Sequence, residues 1–237
     1  MSKRQRSNGF ANLERLLVIS PHLDDAVFGC GQLLAKRPGA VVATIFAGVP
    51  RRRRAVTPWD RACGFRTAQE AVACRRAEDQ AALDVLGARA IWLRFLDSQY
   101  ESTPARESIA AKLRDVVHRE IPDAVLLPLG LFHTDHELAH DACLDVRRDA
   151  ASVPCWIAYE DALYRRHRGL LQKRLAGLLD GGVIATPIPA PTGAGRTRTS
   201  WAKAEAVRCY RSQLRAFSPA TLADTSSPER FWRLDDA

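Results

Sequence analysis

The sequence predicts an α/β protein with a Rossmann-like, mostly parallel sheet and helices on both faces. Three observations support this fold class. Short aliphatic and β-branched runs alternate with longer amphipathic runs, which is the pattern of repeated βαβ units. The 237 residues, 46% of them hydrophobic, suffice to bury a substantial core. Two loops rich in histidine and aspartate follow predicted strands, as ligand-binding loops do in parallel sheets.

The first half of the chain carries clear strand and helix signals. The run RLLVIS predicts a strand over residues 15–20, and residues 25–36 show helical periodicity. A longer amphipathic pattern predicts a helix over residues 66–87, which Gly87 closes. Two further strands are predicted over residues 40–48 and 89–96.

The second half continues the alternation and then becomes less regular. Pro122 marks the end of a helix predicted over residues 107–120, and the run DAVLLPLG predicts a strand over 123–130. After residue 161 the pattern loosens, and a loop rich in glycine, threonine and arginine appears. The remaining predicted elements are helices over 136–148, 168–179 and 201–216 and strands over 155–161 and 182–189.

We expect one domain over residues 1–237, with a core over about residues 12–161 and an elaborated C-terminal part over 162–237, because no repeat or low-complexity linker divides the chain. The six cysteines are scattered without a CxxC pair, which is typical of reduced thiols in a cytoplasmic protein. No apolar run is long enough for a signal peptide or a membrane span. We therefore expect a cytoplasmic protein; its oligomeric state cannot be predicted.

The formal net charge is +8, and arginine runs at 51–54 and 164–169 supply much of it. Such runs usually form a solvated surface, and no nucleic-acid-binding motif or interleaved aromatic platform accompanies them. We therefore expect no nucleic-acid partner. Arg196 and Arg198, in the loop after Pro191, are compatible with a phosphorylated or acidic group on a substrate.

Two loops form the candidate functional site. PHLDD follows the first predicted strand, and its His22 and Asp25 are three residues apart at a strand-to-helix turn. LFHTDHELAH follows the fourth strand, and its His133 and His136 have the same spacing, with Asp135 between them. Either loop alone could equally be a hydrogen-bonded turn or a helix N-cap. Together they offer an imidazole, a carboxylate and a second imidazole, a familiar zinc set with one position left for water.

A metal site of this kind suits hydrolysis. Zinc polarises a carbonyl and lowers the pKa of bound water to about 7, but a base must take up a proton and an acid must return it. Asp24 adjoins Asp25 without being needed as a ligand, so it is the candidate base. His133 is placed to stabilise an oxyanion, and Asp135 could hold an imidazole in its protonated form.

These motifs resemble the signatures of the PIG-L or LmbE-like family of zinc-dependent de-N-acetylases. The family's His-Pro-Asp-Asp-Glu appears here as HLDDA, and its His-x-Asp-His appears as HTDH. Smaller similarities follow in order along most of the chain. They are RRAEDQAALDVLG, LRFLD, AYEDALY and KAEAVRCYRSQ.

The resemblance implies a role for each matching residue of the two loops. His22, Asp25 and His136 would bind Zn²⁺, and Fe²⁺ also suits imidazole and carboxylate donors. Asp24 would be the general base, and His133 would stabilise the oxyanion and could double as the acid.

Two further residues match positions that bind sugar hydroxyls in relatives, Arg75 and Asp97. For Arg75 there is an equally good alternative, an i,i+3 ion pair with Glu78 on an exposed helix face.

The chain departs from the family pattern near the site. Leu23 replaces the usual proline, and Ala26 replaces the usual glutamate, which removes a carboxylate next to the metal. Leu131 lies where some relatives place a polar group. His140 lies one turn beyond His136, where it could either contact the metal-binding residues or belong to ordinary helix surface.

The expected function is that of a metal-dependent N-deacetylase that removes an acetyl or other acyl group from an amino sugar or glycoconjugate such as an N-acetylglucosamine derivative. The expected partner is therefore a small-molecule substrate. Two alternatives remain: an amidase for a different amide, such as a sugar–thiol conjugate, and a non-catalytic sugar-binding or regulatory protein.

Overall fold

A mixed sheet of seven strands lies at the centre of the computed structural model, which describes residue 10 and residues 12–51, 56–100, 103–150, 152–190 and 197–237. The strands are β1 (Leu16–Ser20), β2 (Val41–Thr44), β3 (Arg89–Trp92), β4 (Ala124–Pro128), β5 (Trp156–Tyr159), β6 (Val183–Ile188) and β7 (Phe231–Asp236). They lie in the order β3-β2-β1-β4-β5-β7-β6. Strands β1 to β5 pair in parallel, whereas β7 pairs antiparallel with β5 and β6. The predicted fold class is confirmed: the sheet is mostly parallel.

Helices cover both faces of this sheet. They are α1 (Asp25–Lys36), α2 (Pro58–Ala62), α3 (Ala68–Leu86), α4 (Arg106–Glu120), α5 (Thr134–Asp149), α6 (Leu170–Asp180), α7 (Arg198–Cys209), α8 (Arg211–Ala216) and α9 (Pro219–Thr225). Alternate residues of β1 point to opposite faces. Leu17 and Ile19 share a core cluster with α4 and α5, whereas Leu16 and Val18 share one with α1, α3 and α7. Every helix in the described ranges is too short or too polar to cross a bilayer.

The chain order reverses between β1 and β4. β2 and β3 lie on one side of β1, and β5 lies beyond β4 on the other. Connections that run in opposite directions from such a point leave a crevice beyond the carboxyl ends of the strands. The loops after Ser20 and after Pro128 therefore face each other across this crevice.

Three segments differ from the sequence expectation. The helix predicted over 201–216 is interrupted at Tyr210, which separates α7 from α8. The five-residue helix α2 was not predicted, because it is too short to show helical periodicity. Strand β7 was not predicted either, and it adds an antiparallel strand between β5 and β6.

A buried ion pair ties the C-terminal residues to α1. Lys203 Nζ lies 2.9 Å from Glu229 Oε1 and donates a hydrogen bond of 2.7 Å to the carbonyl oxygen of Phe28. Glu229 also accepts hydrogen bonds from the backbone N–H groups of Gln32 and Leu33. Buried charges need such complete pairing, so removing one partner would leave the other buried and unpaired.

A second buried carboxylate links α3, β3 and the end of α7. Asp79 is 2% exposed and accepts hydrogen bonds from Trp92 Nε1 at 2.8 Å and from the Tyr210 hydroxyl at 2.9 Å. Burial raises the pKa of Asp79 to about 6, and the two hydrogen bonds only partly oppose this effect. The bond to Tyr210 holds the residue at which the predicted helix is interrupted.

Asp79 predicts a specific pH dependence of stability. An unfolded aspartate has a pKa of about 3.9, so the folded state binds this proton more tightly. The contribution is therefore fully present below about pH 4 and is lost as the pH rises through 6. We predict that the unfolding free energy of the wild type relative to Asp79→Asn falls by about 2 kcal/mol between pH 4 and pH 8. Urea unfolding at the two pH values measures this, and a pH-independent difference would contradict it.

Candidate metal centre and active site

The two histidine–aspartate loops meet at the carboxyl ends of β1 and β4. His22 Nδ1 lies 3.2 Å from Asp25 Oδ2, and the same carboxylate oxygen lies 3.2 Å from His136 Nε2. One possible ligand atom from each of these three residues lies within 4.8 Å of the others. The structure thus brings together the three residues that the resemblance assigns to the metal.

Hydrogen bonds within the first loop set its shape. The Ser20 hydroxyl donates to the carbonyl of His22 at 2.7 Å and accepts from the N–H of Ala26 at 3.0 Å. Asp25 Oδ2 also accepts from the backbone N–H of His22 at 2.9 Å. These hydrogen bonds fix the positions of His22 and Asp25 relative to the end of β1 and the first turn of α1. The Ala26 side chain is buried in the apolar core.

The second loop depends on two residues with positive φ. Gly130 has φ +78°, and a Cβ atom there would lie 2.7 Å from the Cβ of His140, so glycine is required. Phe132 has φ +66° and is 57% exposed; its ring stacks on His167 with centroids 4.8 Å apart. A non-glycine residue with this φ is strained, and such strain is concentrated at functional sites. The turn delivers His133 to the N-cap position of α5.

Asp161 holds His136 from the side away from Asp25. Its Oδ1 lies 2.6 Å from His136 Nδ1, and its Oδ2 accepts from the N–H of Leu131 at 3.0 Å. Burial opposes the charged form of His136, but Asp25 and Asp161 outweigh it and raise the pKa to about 9. Sequence reasoning assigned no role to Asp161. The available signal was its place directly after β5, beside β4 at the same sheet edge.

Asp135 holds His22 in the corresponding way. Its Oδ2 lies 3.0 Å from His22 Nε2 and accepts from the N–H of Ser98 at 3.1 Å. Burial opposes protonation of His22, but the hydrogen bonds to Asp135 and Asp25 raise its pKa well above the ordinary value. His22, His133 and Asp135 form a second group that could hold a cation. Two overlapping candidate metal sites therefore share His22.

His133 has a defined tautomer when neutral. Its Nδ1 accepts a hydrogen bond of 3.2 Å from the backbone N–H of Asp135, so the ring proton must be on Nε2. Burial lowers the pKa of His133, and the positive charges of His22 and His136 lower it further. The ring is therefore a neutral donor beside the cluster, which is the form that can hydrogen-bond a developing oxyanion.

The donor set fits a divalent transition metal. His136 Nε2 is buried and, among the described residues, has no hydrogen-bond partner, although Asp25 Oδ2 lies 3.2 Å away. An orphaned imidazole nitrogen facing a carboxylate is costly in a folded protein unless something binds it. Imidazole and carboxylate donors suit zinc and iron alike.

Asp24 occupies the N-cap position of α1 but does not act as a cap. Its side chain makes no capping hydrogen bond, so it does not have the ordinary role of a carboxylate before a helix. The residue is 6% exposed and lines the same pocket as His22 and Asp25. Burial and the charge of Asp25 raise the pKa of Asp24 well above its usual range.

The pocket above the cluster has a volume of about 320 Å³. Arg75 and Asp97 both line it. Arg75 is 6% exposed and pairs with Asp60 at 2.8 Å, so the alternative of an exposed pair with Glu78 is wrong. Glu78 instead accepts hydrogen bonds from Ser212. The Asp97 carboxylate accepts from the backbone and side-chain N–H groups of Gln99.

Two other residues discussed from the sequence, His140 and Arg198, lie outside the two candidate metal groups. His140 is buried and its Nδ1 donates to the carbonyl of Pro128 at 2.8 Å, so it is not part of the helix surface. Arg198 is exposed at the start of α7 and does not line the pocket. Arg196 lies outside the described residues.

Comparisons with known proteins agree with this arrangement. The PIG-L family profile, described as GlcNAc-PI de-N-acetylase, matches residues 17–147, which include both loops. The 2'-N-acetylparomamine deacetylase of Streptomyces fradiae is 33% identical over 170 residues, or 65% of this chain. The alignment spans 59% of that relative, less than two thirds of its length.

Solved structures extend the likeness to nearly the whole chain. The zinc-inhibited form of teicoplanin deacetylase is 26% identical with a TM-score of 0.77, and the match covers 94% of this chain and 98% of that one. The A40926 pseudoaglycone deacetylase is also 26% identical, with a TM-score of 0.75 and coverage of 95% and 98%. The matched residues 17–147 include the loops that carry the candidate metal group. The chain therefore belongs to the PIG-L family.

Proposed function

We propose that this protein is a metal-dependent hydrolase that removes an N-acetyl or other N-acyl group from an amino sugar or glycoconjugate. The observation that carries the proposal is the position of Asp24. Its buried carboxylate makes no capping hydrogen bond and lines the pocket beside the His22–Asp25–His136 group. The names of the relatives, deacetylases of 2'-N-acetylparomamine, teicoplanin and the A40926 pseudoaglycone, support the reaction class.

His22, Asp25 and His136 would hold the metal, for which we propose zinc. When bound, zinc would act as a Lewis acid on the amide carbonyl and make water more acidic. Asp135 and Asp161 would keep the two imidazoles oriented, because each binds the ring nitrogen away from Asp25. The structure of teicoplanin deacetylase is described as a zinc-inhibited form, so zinc also inhibits that relative. Fe²⁺ stays an alternative, because imidazole and carboxylate donors also suit iron. Activity should be assayed while each metal is added to the metal-free protein up to one equivalent.

The chain's own residues supply the proton transfers and the oxyanion contact. Asp24 accepts a proton from the attacking water and returns it to the departing amine nitrogen. His133 donates its Nε2–H to the carbonyl oxygen as negative charge develops there. Leu131 offers no polar side chain, so His133 carries this contact from its loop.

Arg75 and Asp97 would bind the hydroxyl groups of the sugar. Both line the pocket with the cluster, and each is held by a neighbour, Arg75 by Asp60 and Asp97 by Gln99. We also propose a cytoplasmic location. All six cysteines lie in the described ranges as free thiols, which supports a reducing compartment.

Loss of individual ligands distinguishes the two overlapping metal sites. We predict that Asp25→Asn and His136→Gln each weaken zinc binding by at least about 100-fold, because each removes a ligand. His133→Gln should weaken it by less than about threefold, since His133 belongs to the other group. Competition with a fluorescent chelator measures the affinities, with His118→Gln, at an exposed position of α4, as the control. Loss of binding in His133→Gln but not in His136→Gln would move the metal to the other group.

Removal of the base tests the reaction itself. We predict that Asp24→Asn lowers amine release from N-acetylglucosamine glycosides by about 1,000-fold while one equivalent of metal stays bound. The carboxamide keeps the size of the side chain but cannot take up the proton. Amine release is measured with a fluorogenic reagent on protein reloaded with metal. No release by the metal-loaded wild type, or full activity in Asp24→Asn, would contradict the proposal.

A sugar-binding role for Asp97 predicts an effect on KM. We expect Asp97→Ala to raise KM about tenfold and to change kcat by less than about threefold, because a hydrogen bond to a charged group is lost in ground and transition states alike. Steady-state kinetics with the same glycosides measure both values. A fall in kcat at constant KM would instead place Asp97 in the chemical step.

A further inference from the structure

One face of the active-site pocket is aromatic and has no part in the proposed chemistry. Trp59 and Phe217 both line the pocket, and their ring centroids lie 5.3 Å apart at an interplanar angle of 53°. Both residues are only partly buried. We refer to these two rings as the Trp59–Phe217 face.

Trp59 is fixed to the polar wall of the pocket through α2. Thr57 caps this helix by accepting from the N–H of Asp60 at 3.0 Å, and its hydroxyl donates to Gln99 Oε1 at 2.6 Å. Asp60 is fully buried and accepts from Arg75 at 2.8 Å. The residues on either side of Trp59 are thus bonded to the elements that carry Asp97 and Arg75.

Phe217 is anchored from the opposite direction. Its ring packs against Phe28 at a centroid distance of 6.2 Å, and Phe28 packs edge-on against Tyr210 at 5.5 Å. Phe28 and Tyr210 are fully buried in the core between α1 and α7. Packing contacts therefore hold the aromatic face in place, and a preformed face lowers the entropy lost on binding.

Such a face favours an apolar occupant. Covering aromatic rings in a concave site with a flat apolar group is favourable, because apolar surface is removed from water. A few polar groups in the site then fix the orientation of the ligand. The proposed reaction uses His22, Asp24 and His133 on the two histidine–aspartate loops, and none of its steps needs these rings. We propose, on the basis of the deacetylation above, that the Trp59–Phe217 face binds an aromatic or other flat apolar aglycone carried by the amino sugar.

The position of α2 favours the aglycone over the acyl chain. The acyl carbonyl must lie at the metal-binding group and His133 for hydrolysis. In contrast, α2 is hydrogen-bonded to Gln99, beside the residue proposed to bind the sugar, Asp97. A substituent that leaves the sugar on this side reaches Trp59 first.

Matched glycosides test the assignment with the metal-loaded enzyme. The probes are the methyl and phenyl β-glycosides of N-acetylglucosamine, and the readout is the ratio of their kcat/KM values. We expect the wild type to prefer the phenyl glycoside about tenfold and Trp59→Ala to reduce the ratio to about one. Trp59→Phe should retain most of the preference. Trp201→Ala, which removes an exposed tryptophan outside the pocket, should retain all of it. A wild-type ratio near one, or an unchanged ratio in folded Trp59→Ala, would overturn the assignment.

Two further measurements complete the test. The first shows whether the aglycone or the acyl chain occupies the Trp59–Phe217 face, and the second tests aglycone binding independently of deacetylation. If Trp59→Ala instead changes the preference between N-acetyl and N-hexanoyl methyl glycosides, the acyl chain occupies the face and the assignment is wrong. If the wild type releases no amine at all, calorimetric measurement of methyl and phenyl glycoside binding still tests the aglycone assignment. If the wild type binds the phenyl glycoside more tightly and Trp59→Ala loses this difference, the aglycone assignment is supported although the deacetylation proposal fails. Equal binding of the two glycosides by the wild type would overturn the aglycone assignment.

Discussion

The adjacency of β1 and β4 is the constraint on which the site depends. Because these strands are parallel neighbours, the loops after Ser20 and Pro128 open on the same crevice, and Asp25 Oδ2 comes within 3.2 Å of an imidazole nitrogen from each loop. Carboxylates surround the two imidazoles and raise the pKa values of both His22 and His136. The same negative charge that favours protonated imidazoles also favours a divalent cation. Metal binding must therefore displace protons from these rings.

Buried carboxylates organise the rest of the molecule in a similar way. Asp161 and Asp135 each orient one imidazole, and Asp60 holds Arg75 and the hydroxyl of Tyr100. Asp79 holds Trp92 of β3 and Tyr210 at the junction of α7 and α8. The two histidines are oriented by Asp135, in the first turn of α5, and by Asp161, which follows β5, whereas Ala26 is buried in the apolar core.

The sequence predicted those features that arise from local patterns. The strands β1, β2, β4 and β5 were identified because buried parallel strands are continuous apolar runs, and the partly buried β3 was identified from its β-rich run RAIWLRFL. The two loops were identified because their histidines and aspartates have the spacing of metal ligands. Features set by distant contacts were missed. The break at Tyr210 depends on Asp79, 131 residues away, and the burial of Arg75 depends on Asp60 in a helix of five residues. Strand β7 is defined by its antiparallel partners rather than by its own short run.

The cluster at the ends of β1 and β4 is central to the proposed function, because every step of the hydrolysis depends on its being a metal centre. Anomalous diffraction at the zinc edge, from crystals of protein loaded with one equivalent of zinc, tests this most directly. We expect one peak bonded to His22, Asp25 and His136, with the Asp24 carboxylate beside it and unbound. A peak on His133 and Asp135 instead, or an empty cluster in fully loaded protein, would contradict the proposal.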